Sequence, residues 1–248
     1  MSRYWLIGAA ALGLVLATSP APASATTITL GFNSLPSAQG FSGGTCAGSS
    51  ESSLFSVNGT ALHQDTTACD SQSGAGYSLS NVVTSGAFTL TATFRNTSDS
   101  LLREGDFGHF GIGFGAEANG FEYFIGIGSG VIDAITNGGG NDQNDTTVVT
   151  TTADTADFAT YEIVASGTGA FSLLLNGVDI FDGQGDPIPL SDNALLLGDE
   201  SSRAHAVGDF TQYVYQDGVA TGVAEPATLA LFGMGLAGLG VIRRRQAA

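Results

Sequence analysis

The 248-residue chain contains no lysine, and its seven arginines face 23 aspartates and glutamates. Four of those arginines, Arg3 and Arg243 to Arg245, sit near the two ends. Between residues 26 and 222 only Arg95, Arg103 and Arg203 remain, so that stretch carries a formal charge of about −19. Such a surface repels phosphate backbones and anionic headgroups, which excludes nucleic acid as a partner. The histidines are three, His63, His109 and His205, with none of the close spacings a zinc site needs. The single tryptophan, Trp5, lies at the extreme N-terminus. There are two cysteines, Cys46 and Cys69, an even count that predicts one disulfide in an oxidising compartment rather than a thiol or metal pair. Closing a loop of that size removes roughly 3 kcal/mol of unfolded-state entropy on the chain model.

Long apolar runs are also few, and the two present are terminal. Arg3, the apolar residues 6–17 and the small residues Ala23-Ser24-Ala25 have the order of a cleaved secretory signal, with cleavage expected after Ala25. The second run, 227–242, is uncharged, rich in glycine and followed at once by Arg243, Arg244 and Arg245. As a helix it would be roughly 24 Å long, slightly short for a span, with the arginines held in the cytoplasm. Val223, Glu225 and Pro226 precede it, then the run, then the arginines. This order resembles the PEP-CTERM protein-sorting tail, although Ala224 replaces the first proline usual in that family. The resemblance implies an exported bacterial protein handled by an exosortase. The body would reside first in the periplasm with its tail in the inner membrane, then at the cell surface or in the exopolysaccharide matrix.

Residues 26–222 are long enough for one domain with a real core, and residues 223–248 form the tail. Within the body, short β-branched and aromatic runs are broken by Gly, Asn, Asp and Ser. Phe88 to Phe94 alternates apolar and polar, as do Tyr161, Ile163 and Ala165, and Phe171, Leu173 and Leu175. Phe110, Ile112 and Phe114 alternate with glycines, which predicts a strand whose second face is closely covered. Asn176-Gly177 between two apolar runs predicts a type I′ hairpin. Further strands are expected near 28–32, 54–57, 78–83, 122–127, 131–135, 147–151, 194–197 and 210–215. So many short strands predict an all-β fold, an antiparallel two-sheet jelly-roll sandwich. The hairpin at Asn176-Gly177, the Gly198-Asp199 strand end and the aromatic alternation through Phe210, Tyr213 and Tyr215 resemble the closing half of concanavalin A-like, laminin-G-type jelly rolls. That resemblance implies a curved sandwich that binds glycans or matrix ligands in many members.

Chemistry-bearing patterns are sparse. Glu104 and Asp106 match two of the three acids of laminarinase-type jelly-roll glucanases, but Gly108 and His109 stand where the third carboxylate belongs, so a retaining mechanism lacks one of its two groups. Asp142, Asn144 and Asp145, in a glycine-rich loop, offer the hard oxygens Ca²⁺ takes, against the reading of a plain hydrophilic loop. Asp182, Asp186, Asp199 and Glu200 form a second acidic group. Tyr123, Tyr161, Tyr213 and Tyr215 suit either sugar stacking or core packing. The expectation is a non-enzymatic, glycan-binding or adhesive protein, with a polysaccharide-cleaving enzyme and a ligand-free matrix component as alternatives.

Overall fold

A computed structural model of the chain describes residues 26–69, 74–101, 110–128, 131–135, 146–150, 155–181, 188–189, 193–199 and 204–218. The expected signal, the sorting tail, Glu104, Asp106, Asp142, Asn144, Asp145, Asp182, Asp186 and Glu200 lie outside these residues.

In chain order the strands are β1 (Thr27–Leu30), β2 (Ser42–Gly44), β3 (Phe55–Asn58), β4 (Ala61–Asp65), β5 (Ala75–Ser80), β6 (Ala87–Leu101), β7 (Phe110–Ala116) and β8 (Phe121–Gly128). They continue with β9 (Val131–Ile135), β10 (Thr146–Thr150), β11 (Ala159–Ser166), β12 (Phe171–Leu175), β13 (Val178–Asp179), β14 (Ile188–Pro189), β15 (Ala194–Asp199) and β16 (Ala204–Asp217). One short helix, α1 (Glu51–Leu54), is closed at its start by Ser50 and Ser53 in a reciprocal capping box.

The strands form two antiparallel sheets packed face to face. The first runs β13-β12-β11-β6-β16-β4-β3, with β1 beside the C-terminal half of β16. The second runs β10-β9-β8-β7-β15-β5-β2, with β14 beside the start of β8. Alternation decides which side chains face inward. Phe88, Leu90, Ala92 and Phe94 of β6 point into the sandwich, as do Tyr161 and Ile163 of β11, Tyr213 and Tyr215 of β16, and Phe110, Ile112 and Phe114 of β7. The four tyrosines held open between sugar stacking and packing are therefore core: Tyr123, Tyr161, Tyr213 and Tyr215 are all fully buried.

Two expectations on strand length are corrected. The alternation at 88–94 and 210–215 marks only part of β6 and β16, which run for 15 and 14 residues. Their polar halves pair with each other, from Arg95↔Asp209 to Leu101↔Ala204, across a register shift at Val207/Gly208. The Asn176-Gly177 turn has positive φ at both residues, 51° and 82°, as a type I′ hairpin requires. Cys46 and Cys69 are joined, with Cα atoms 5.6 Å apart. The bridge staples the segment between β2 and α1 to the turn that follows β4, where the serine- and glycine-rich sequence has little apolar surface of its own to bury.

Candidate functional site

Two features on the outer faces of the sandwich merit description, one on each sheet. On the first sheet, four adjacent strands place Ser56, His63, Asp209 and Arg95 opposite one another in a single row. His63 Nδ1 lies 2.8 Å from one oxygen of Asp209, and Arg95 Nε donates to the other at 2.8 Å. The Arg95 guanidinium also lies over the Phe158 ring, 4.5 Å from its centroid. The row has the residue types of a nucleophilic triad, but no hydrogen bond joins Ser56 to His63 among the described contacts, and Asp209 is shared with a guanidinium. The row is thus an ion-pair network that fixes side chains on the solvent face, worth on the order of 1 kcal/mol or less. Beside it, burial alone would raise the Asp65 carboxyl, but the Thr67 hydroxyl and N–H, with His63 and His205 nearby, hold it below the usual carboxylate range.

The second sheet carries a different device. Register brings Gly44, Gly76, Gly198, Gly111 and Gly126 into one row across β2, β5, β15, β7 and β8. Four inter-strand steps make this lane, bare of side chains, roughly 19 Å long. The next row, Ser42, Ser78, Leu196, Gly113 and Phe124, forms its wall. The glycines are required for two reasons. At Gly111 a β-carbon would sit 1.8 Å from the Ile125 carbonyl oxygen, and at Gly113 it would meet the Phe124 ring at 2.6 Å. At Gly198 the backbone itself has φ of +123°. Glycines aligned in one row are a device by which a sheet can be curved along a line.

The lane opens where β2, β5 and β15 meet. Gly44 there is exposed and Gly76 half-buried. A cleft of about 290 Å³ lies over them, lined by Thr45, Ser78 and Leu196 and floored by the backbone from Gly74 to Tyr77 and at Asp199. The Asp199 side chain turns away from it, into the sandwich, where the Thr66 hydroxyl donates to its carboxylate at 2.5 Å. Gln64 lies beneath the same floor, its Nε2 donating to the Ala75 carbonyl at 2.5 Å. The cleft therefore presents small hydroxyls and an aliphatic patch, with no ionised group from these lining residues. Among the described residues no three His, Cys, Asp or Glu side chains are grouped to hold a metal ion, and no helix is long and apolar enough to cross a membrane.

Neither feature was expected from the sequence. Glycine at every second position of β7 was the one visible hint, and the covered second face predicted from it is present: Gly111, Gly113 and Gly115 are all buried. The acidic candidates Glu104, Asp106, Asp142, Asn144 and Asp145 fall outside the described residues.

Residues 223–245 match the PEP-CTERM protein-sorting motif. No curated protein sequence matches the chain. Among solved structures, an endo-1,3-β-glucanase from Streptomyces sioyaensis is similar at 13% identity and a TM-score of 0.49, covering 82% of this chain and 100% of that one. A carbohydrate esterase from the Shiga toxin-encoding bacteriophage phi24B is similar at 10% identity and a TM-score of 0.47, covering 74% and 92%. These likenesses are of shape and transfer neither activity nor ligand.

Proposed function

We propose that the chain is a non-enzymatic, exosortase-processed surface protein whose sandwich binds a neutral glycan in the cleft of the second sheet. The sorting motif at residues 223–245 marks the protein for export and for membrane-anchored transit. What supports the ligand class is the cleft itself, a side-chain-free lane with hydroxyls and one aliphatic wall. A sugar offers it both hydroxyls and C–H faces. The acidity of residues 26–222 disfavours polyanions, so a neutral chain suits the site better than a uronate-rich one.

The test has two arms. Loss of the exosortase, or deletion of Glu225-Pro226, is expected to leave full-length precursor in the inner membrane; unchanged processing, read by mass spectrometry of the mature termini, overturns the sorting assignment. For the ligand, processed protein from its native cell is screened on a glycan array and against the host exopolysaccharide, with reducing-sugar release followed in parallel. Binding without cleavage is expected. Ser78→Trp, which fills the cleft from the solvent side, should weaken binding by about tenfold or more, equivalent to roughly 1.4 kcal/mol. Binding unaffected by that substitution removes the cleft from consideration, and cleavage products remove the non-enzymatic reading.

A further inference from the structure

The strand register also fixes where this cleft lies relative to the sorting tail. Thr26, the first described residue, and Gly218, the last, are pinned to the same end of the sandwich. The Asp217 N–H donates to the Thr26 carbonyl at 2.8 Å, and the Gly218 N–H donates to the Ala87 carbonyl at 2.7 Å. The Asp217 carboxylate holds the neighbouring loop as well, accepting from the Ser85 N–H at 2.6 Å and from the hydroxyls of Thr84 and Ser85. β1 then runs alongside β16, Thr27 opposite Gln216. Both connections, to the N-terminal segment and to the tail, leave from this pole.

The cleft is at the other pole. Gly198 and Gly111 are paired, next to Asp199↔Phe110, and the Phe110 ring packs against Phe210 across the sandwich at 4.8 Å. A β-carbon on Gly208 would strike that same ring at 2.4 Å, so the glycine lane stands level with Gly208. From Gly208 to Asp217 is nine residues of β16, or roughly 30 Å of extended strand. The chain from Gly218 to Ala227, where the apolar run begins, is also nine residues and reaches roughly 30 Å when drawn out straight. Inverting the body onto its cleft pole would require that linker to extend fully alongside it, at an entropic cost. Inversion, or laying the second sheet flat on the bilayer, would also press an acidic surface against anionic headgroups.

From this geometry we infer that the cleft faces away from the membrane while the tail still holds the protein there, so that ligand is engaged before the tail is removed and processing does not gate binding. The inference rests on the glycan reading for what the cleft takes up, and on the strand register alone for where the cleft points.

Thiol accessibility tests it without knowledge of the ligand. The two native cysteines are bonded to each other and none is free, so an introduced cysteine is the only reactive thiol. Ser78→Cys places it in the cleft; Val83→Cys places it on the exposed loop at the tail-bearing pole, where Val83 is 76% exposed. Each full-length variant is reconstituted into phosphatidylethanolamine–phosphatidylglycerol vesicles, recovered by flotation, and labelled with a bulky polyethylene glycol maleimide. The processed, soluble form is labelled in parallel. The Ser78→Cys thiol is expected to react within about twofold of its rate in the free protein, and the Val83→Cys thiol several-fold more slowly than in the free protein. Protection of the Ser78→Cys thiol by about tenfold in the vesicle-held chain, or slowing at Ser78 with none at Val83, overturns the inference. Glycan binding by the unsubstituted, unlabelled chain, held in such vesicles and as the processed form, separates the two claims. Processed protein that binds no glycan ends the glycan reading and leaves the orientation intact. Protein that binds when processed but not when held ends this inference alone.

Discussion

Replacing Phe94 with alanine is expected to cost about 4 kcal/mol of unfolding free energy, close to the whole margin of a small domain. Phe94 is fully buried at the point where both sheets converge. Its ring lies 4.4 Å from Tyr161, 5.1 Å from Phe210 and 5.9 Å from Phe110, centroid to centroid. Truncation forfeits the transfer energy of the ring, leaves a cavity that strands on opposite sheets cannot both close, and breaks aromatic contacts of about 0.5–1.5 kcal/mol each. Residues 26–222 contain no tryptophan, so denaturant unfolding should be followed by far-UV circular dichroism with the disulfide intact. Phe158→Ala is the control: it removes the same ring from a side chain 43% exposed, and a loss under about 1 kcal/mol is expected. Equal losses at the two positions would contradict the core assignment. A second readout follows from Tyr161, whose hydroxyl has no hydrogen-bond partner among the described residues and whose pKa burial pushes up to about 12. The unfolded chain releases that proton near 10 while the folded one keeps it, so folding is penalised as pH rises from about 10 to 12. Water entering the Phe94→Ala cavity should bring the Tyr161 titration back toward 10, visible in the phenolate absorbance.

The parts of the fold that could be read in advance are those where one residue type reports one physical fact. Phe88 to Phe94 alternates because its even-numbered members bury against the opposite sheet and its threonines do not. Asn176-Gly177 announces a hairpin because both positions need positive φ. β4 gave no such signal: Ala61 to Asp65 looks like loop because its inward position Gln64 is polar, and burial there is offset by a hydrogen bond to the Ala75 carbonyl of the facing sheet. The polar halves of β6 and β16 were missed for a related reason. Those halves are held largely by pairing to each other, through Arg95–Asp209 and the ladder beyond it, and pairing between distant segments leaves no periodic mark. The glycine lane was hidden for the same cause. Gly44, Gly76, Gly111, Gly126 and Gly198 are scattered through a chain with 36 glycines, and only the register of five strands shows that they share a row. The sorting tail was legible because it is read locally, by residue order, without any fold.

The lane itself supplies the test of whether those glycines are structural requirements. Gly111→Ala is expected to destabilise the body by roughly 4 kcal/mol or more, enough to abolish accumulation of folded protein. The added methyl would stand 1.8 Å from the Ile125 carbonyl oxygen and 2.9 Å from the Gly126 Cα. Both atoms are backbone, in the strand paired with β7, so no rotamer change can relieve the clash. Relief requires β7 and β8 to separate, and that breaks the ladder carrying Phe110, Ile112 and Phe114 into the core. Gly111 has no positive φ, so the demand is for space and not for a conformation. Gly120→Ala provides the opposite case. Gly120 has φ of +75° and nothing within 4 Å of where a methyl would go, so it should cost only about 1 kcal/mol, the price of an alanine in the left-handed region. Comparing the two by circular dichroism separates close strand approach from turn conformation. If Gly111→Ala costs no more than Gly120→Ala, the two strands are not as close as the register places them, and the requirement for glycine along the lane loses its physical basis.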